Sequence, residues 1–110
     1  MTQGSKSDSG KAMFSLFPAR ALWEVAEVLT HGAREPGRAP DNWKLVRDAK
    51  RRYLDAGFRH MYRYLGGSDI DPQYGKHHLA HAICSLLFVL AFELGEQTVE
   101  ERELAQCKST

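Results

Sequence analysis

An all-α fold is predicted for this chain from three observations. Apolar residues recur at helical spacing in two long segments. A third segment, Ala82 to Phe92, is apolar apart from Ser85. Between the segments stand Pro- and Gly-rich stretches that cannot continue a helix. At 110 residues the chain has length for one modest core and not for two ordinary domains. With 43% hydrophobic and 26% charged residues it has enough apolar surface to bury, which argues against disorder.

The expected organisation is a mobile arm over residues 1–11, a helical domain over 12–95 and a short helix with a frayed tail over 96–110. The arm is rich in Ser, Gly and charge and lacks the apolar stretch of an export signal. The first helix is expected to start near Pro18, which suits a first turn, and to run to about Gly32. Leu22, Val25, Ala26 and Leu29 form its core stripe at i, i+3, i+4, i+7. Arg34 to Trp43 holds two prolines and a glycine and reads as a loop. A second helix fits Val46 to Leu65, with Tyr53, Ala56, Gly57, His60 and Tyr64 on one face, and Gly66-Gly67 ends it. Asp71-Pro72 and Gly75 mark an ordered turn between Ser68 and Lys76. The third helix, Lys76 to Leu94, is apolar almost all round beyond His81. Three helices rarely enclose such a helix, so a homodimer or higher homo-oligomer is expected to complete the bundle. Thr98 and Glu101 have the spacing of a capping box for a fourth, short helix.

Composition excludes several function classes. Fifteen basic and 14 acidic side chains leave a formal charge of +1, with no global field for a nucleic-acid polymer or an anionic membrane. The Lys50-Arg51-Arg52 triplet is a solvated helix start or a local phosphate patch. The Ala82–Phe92 run falls well short of the roughly 20 residues of a membrane span. Cys84 and Cys107 form neither a disulfide framework nor a metal motif, and read as free thiols in a reducing cytoplasm.

The candidate chemistry lies in two polar stripes. Glu24, Glu27 and His31 on the first helix, and His78, His81 and Ser85 on the third, share i, i+3, i+7 spacing, which holds each set on one helix face. An unpaired polar group buried in a helix as apolar as the third costs roughly 1–3 kcal/mol, so His81 needs a partner such as a carboxylate or a metal ion. Glu and His side chains from several helices of a bundle are suited to divalent ions. The plainer alternative leaves Glu24 and Glu27 in solvent and hydrogen-bonds the histidines to backbone or to each other. His60 is a ligand or a satisfied core histidine, and Asp69 and Asp71 are read first as caps of the third helix. Asn42, Trp43 and Lys44 offer an amide, a stacking surface and a cation for a base and a phosphate, although a Trp that pins a loop to the core accounts equally for Trp43.

The order Gly10-Lys11, Leu16-Phe17-Pro18, Leu22 to Gly32, Asp41-Asn42-Trp43-Lys44, Arg52-Tyr53-Leu54-Asp55-Ala56, Arg59-His60, Asp71-Pro72, Gly75 and His78-Leu79-Ala80-His81-Ala82 resembles the phage dATP/dGTP diphosphohydrolases. Those enzymes are similar to the MazG-like all-α nucleotide pyrophosphohydrolases. The resemblance covers about residues 10–93 and departs from the family pattern at Ser15, at Ser85 and in the Arg34–Pro40 loop. It implies metal-dependent hydrolysis of a purine deoxynucleoside triphosphate to the monophosphate and pyrophosphate, in the cytoplasm of an infected cell. Glu24 and Glu27 match the first carboxylate pair of MazG-like enzymes, and His78 and His81 stand where the second pair would be. The resemblance thus implies metal ligands Glu24, Glu27, His78 and His81, with Glu27 also orienting or deprotonating the attacking water. Lys11, Asn42, Trp43, Lys44, Arg59 and His60 would contact substrate. The metal is magnesium or manganese, with another transition metal admitted because imidazole is a poor magnesium ligand. The competing readings are a catalytically inactive nucleotide-binding or host-protein-binding module, favoured by Ser15 and Ser85, and a purely structural dimer.

Overall fold

In a computed structural model the chain is described over residues 3–108, and four α-helices carry the architecture. They are α1 (Ala19–Ala33), α2 (Ala49–Leu65), α3 (His78–Glu93) and α4 (Val99–Lys108). Short 3-10 turns at Phe14–Leu16 and Asn42–Leu45 precede α1 and α2. Among the described residues no strand forms, and one isolated bridge joins Ile70 to His77. The all-α expectation holds. Residues 1, 2, 109 and 110 of the expected arm and tail lie outside the described part. Residues 3–11 are exposed and form no regular element.

Helix α3 packs against α2 on one side and α1 on the other. The two helices meet closely at Gly57 of α2, where a Cβ would stand 3.6 Å from the Ser85 Cβ and 3.7 Å from the Ala82 carbonyl oxygen, ordinary contact distances. Toward α1, Val25, Ala80 and Cys84 form a small buried cluster with Val28 against it, and the Cys84 thiol donates to the Val25 carbonyl. Burial pushes that thiol up to about 11, so Cys84 is an inert core residue. Neither cysteine forms a disulfide among the described residues.

Two helix starts differ from the sequence reading, and tertiary contacts explain both. Helix α2 begins at Ala49 and not Val46, because Asp48 takes a left-handed conformation at φ 53°. Its N–H donates to the Glu100 carboxylate of α4, and Arg47 pairs with Glu103. Helix α3 begins at His78 and not Lys76, because the Lys76 carbonyl accepts from the Asp71 N–H within the preceding loop. His77 is the N-cap, its Nδ1 accepting from the Leu79 N–H at 3.0 Å. Asp69 and Asp71 therefore do not cap α3 with their side chains. The α4 start follows the expectation: Thr98 Oγ1 accepts from the Glu101 N–H and donates to the Glu101 carboxylate.

The Lys50-Arg51-Arg52 cluster is engaged within the chain. Lys50 reaches Glu93, Arg51 pairs with Asp48 and Asp55, and Arg52 donates to the Arg47 carbonyl. Leu79, Ile83, Leu86, Leu87 and Leu90 of α3, and Leu94 just after it, are exposed. The radius of gyration is 18.3 Å, against roughly 13 Å for a compact domain of this length, so the described chain is extended. No described helix is long and apolar enough to cross a membrane.

Candidate functional site

The loop between α2 and α3 builds the site. Asp71 Oδ1 accepts from the Gln73 N–H at 2.7 Å, the Asp71 carbonyl accepts from Gly75 at 2.7 Å, and His78 N–H donates to the Asp69 carbonyl. Gly75 sits at φ +71°, a left-handed conformation that glycine takes at little cost. This turn folds Asp71 back until it is 5% exposed and lies against α2 and α3. There His60, Asp71 and His81 each present one ligand atom within 4.8 Å of the others. The His60 and His81 rings stack with centroids 4.7 Å apart, and His60 Nδ1 is 3.8 Å from Asp71 Oδ2.

His78 is fully buried and has both ring nitrogens engaged, Nδ1 with His60 Nδ1 at 2.9 Å and Nε2 with Ser68 Oγ at 3.1 Å. His81, 9% exposed, has a buried Nε2 with no hydrogen-bond partner. Burial lowers the His60 pKa to about 4, helped by His81 and opposed by Asp71, so the ring is neutral near pH 7. Burial also lowers His81, against the pull of Asp71. Burial alone would raise the Asp71 carboxyl, but the Gln73 N–H and the two histidines bring it below its ordinary value. The site is thus a neutral imidazole pair beside an ionised carboxylate.

The expected metal ligands Glu24, Glu27, His78 and His81 are distributed over this region without converging as a set. Glu27 accepts from Lys76 Nζ at 2.7 Å and Glu24 lies 3.8 Å from the same ammonium. The Lys76 hydrogen bond holds the Glu27 carboxyl below the ordinary range, and Glu27 raises Lys76 in turn. Tyr74 bridges the two stripes, its ring centroid 4.6 Å from His31 and 5.6 Å from His81. Asp71, Lys76, Tyr74 and Ser68 therefore join a site in which helix periodicity gave them no part. The Asp-Pro turn was their one sequence signal.

An open cavity of about 560 Å³ adjoins the cluster, lined by His31, Asn42, Trp43, Tyr53, His60, Tyr74, Lys76, His81 and Ser85 among others. A second of about 500 Å³ shares His31 and Lys76 with it and adds Trp23, Glu27 and Arg34. Trp43 stacks on Phe88 at 4.7 Å and 13°, and meets Phe92 edge-on, while Tyr53 donates to its carbonyl. It pins its loop to α3 and also lines the cavity. Lys44 reaches Glu96 and Asp41. Arg59 is exposed on α2, and Lys11 lies in the exposed N-terminal segment.

The described chain is thus an all-α domain with a His-carboxylate cluster beside an open cavity. The chain belongs to the family described as dATP/dGTP diphosphohydrolase, N-terminal, which it matches over residues 1–102. It is 38% identical over 99 residues to a dATP/dGTP diphosphohydrolase of Salmonella phage PMBT28, a match that covers 90% of this chain. The chain spans 33% of the length of that relative. No solved structure matches it.

Proposed function

We propose that this domain hydrolyses a purine deoxynucleoside triphosphate, dATP or dGTP, to the monophosphate and pyrophosphate with the help of a divalent metal. The observation that carries the reading is the pair of cavities. One cavity is lined by Trp43, Asn42, Lys76 and the His60 and His81 of the cluster, and the other, which shares His31 and Lys76 with it, by Glu27 and Arg34. The name of the phage relative supports the same substrate class.

Trp43 would stack the base and Asn42 would hydrogen-bond its edge. Lys76 and Arg34, with Lys11, Lys44 and Arg59, would offset phosphate charge. Water attacks the α-phosphorus, the bond to the bridging oxygen breaks, and pyrophosphate leaves. Glu27 accepts the proton of that water once Lys76 has turned to the phosphates, which frees its carboxylate. A bound divalent ion supplies charge neutralisation and acidifies water. The donors fit such an ion: His81 has a buried nitrogen without a partner, and Asp71 supplies a buried carboxylate beside it. His60 lines the cavity with His81, the buried His78 stands behind His60, and Lys76 holds Glu24 and Glu27. A second copy of the chain would cover the exposed leucines of α3.

A binding module without turnover is the second reading. Lys76 already occupies the Glu24 and Glu27 pair with a cation, which is how a retired metal site would look. Pyrophosphate release from a panel of ribo- and deoxyribonucleoside triphosphates, with magnesium, manganese or cobalt, separates the two. Turnover of purine deoxynucleotides that is lost in Glu27→Gln and His81→Ala supports the hydrolase. Tight nucleotide binding by a folded protein that releases no pyrophosphate supports the module.

A further inference from the structure

Among the described residues, the Glu24 and Glu27 pair and the His60, Asp71 and His81 cluster both offer groups able to hold a cation, and they are not equivalent. Glu24 and Glu27 already have one, the Lys76 ammonium at 3.8 and 2.7 Å. Asp71, buried, has no ammonium or guanidinium within ion-pair distance among the described residues; its ion-pair contact is with the His60 ring. Beside it His81 buries Nε2 with no partner, and a group left in that state costs roughly 1–3 kcal/mol unless something is bound there. Two imidazoles and one carboxylate meet within 4.8 Å, the donor set and scale of a three-point protein ligation that leaves positions open for water or substrate.

The outer contacts of this trio resemble those of a metal centre. Ligating histidines usually have the other ring nitrogen fixed by a hydrogen bond, which sets tautomer and ring direction. Here His78, fully buried, holds His60 at 2.9 Å and is itself held by Ser68 at 3.1 Å. Asp71 is fixed by the Gln73 N–H through its other oxygen, Oδ1. With both its nitrogens engaged, His78 acts as a positioning residue for His60.

We propose that His60, Asp71 and His81 form a site for a first-row divalent transition metal, of the manganese, iron, cobalt or zinc class, that binds in preference to magnesium. Magnesium demands hard oxygen donors in near-octahedral array and keeps its water, whereas imidazole nitrogen suits the later ions. The inference deepens the hydrolase reading by naming the class of cofactor and placing it away from Glu24 and Glu27.

The test is cobalt binding to the intact chain in the absence of nucleotide, followed by visible absorption and calorimetry, with magnesium as competitor. One equivalent per chain is expected, displaced poorly by magnesium. Asp71→Asn should weaken binding by roughly ten- to a hundredfold, as should Ser68→Ala to a smaller extent through His78. Glu24→Gln with Glu27→Gln should leave it unchanged. On the unmodified protein, paramagnetically shifted imidazole resonances from two histidines are expected, a readout that needs no variant to fold. Cobalt binding lost in the Glu24/Glu27 variant, or shifted signals from no histidine, would overturn the assignment. Cobalt bound as described without pyrophosphate release would refute the hydrolase and keep the site. Magnesium-supported turnover in a protein that binds no cobalt would refute the site and keep the hydrolase.

Discussion

Replacing His81 with leucine should stabilise the metal-free protein and abolish its response to metal. The ring is 9% exposed and its Nε2 is buried without a partner. Relief of that unsatisfied nitrogen is worth roughly 1–3 kcal/mol. Against it stands the stacking on His60 at 4.7 Å, worth about 0.5–1.5 kcal/mol for an aromatic pair. Leucine fills similar volume, so the net gain is about 1 kcal/mol, or a rise of roughly 4–8 °C in Tm for a domain near this size. Wild-type protein in cobalt at about a hundred times its Kd should gain about 2.7 kcal/mol by mass action, and the variant none. Urea and thermal melts at one protein concentration, in chelator and in cobalt, measure both quantities. A variant that loses 2 kcal/mol or more in chelator would show that His81 is satisfied in solution and would refute the reasoning.

Burial holds His60 at about 4, below its unfolded value of 6.5, so between those values the unfolded chain binds the extra proton. Stability in chelator should therefore rise with pH from about 4 to 6.5 and level off above, by up to roughly 3 kcal/mol, less whatever solvent reaching the ring screens. Urea melts at four pH values test this, and a decline over that window would contradict it. Asp71, with its carboxyl held below the ordinary range, adds a contribution of the same sign that is lost as pH falls below about 4. Gly57→Ala should be tolerated, because its new methyl meets Ser85, Ala82 and Leu86 at 3.6–3.8 Å, ordinary contact distances. A gain of about 0.5–1 kcal/mol is expected from removing a mid-helix glycine, and a loss above 1 kcal/mol in urea melts would mean that α2 and α3 sit closer than described. Ile83→Asp with Leu90→Asp, at side chains 44% and 51% exposed, should halve the mass measured by light scattering while leaving the helical circular dichroism intact. An unchanged mass would place the interface elsewhere.

Much of the helical layout was legible in the residues. Pro18 opens α1, Gly66 closes α2, and the Thr98 to Glu101 spacing marks α4, because each is a local rule satisfied by local chemistry. The starts of α2 and α3 were not, since Asp48 is captured by Glu100 from 52 residues away and Lys76 is committed to the loop bridge. The site was half legible. The apolar setting of His81 announced a buried imidazole in need of a partner, and the structure leaves its Nε2 buried and unpaired. Periodicity, however, reads one helix at a time. It could place Glu24 and Glu27 on one face without showing that Lys76 occupies them. It could mark Asp71-Pro72 as a turn without showing that the turn folds Asp71 onto His60 and His81. His78 was paired with His81 by spacing, whereas its contacts run to His60 and Ser68.

The most direct test of the central claim is hydrolysis of dGTP and dATP in water enriched in oxygen-18, with manganese or cobalt, followed by mass analysis of both products. Attack of water at the α-phosphorus predicts one labelled oxygen in the deoxynucleoside monophosphate and none in the pyrophosphate, with no orthophosphate formed. Label in pyrophosphate or orthophosphate, or no products from a folded, metal-loaded protein, would contradict the account.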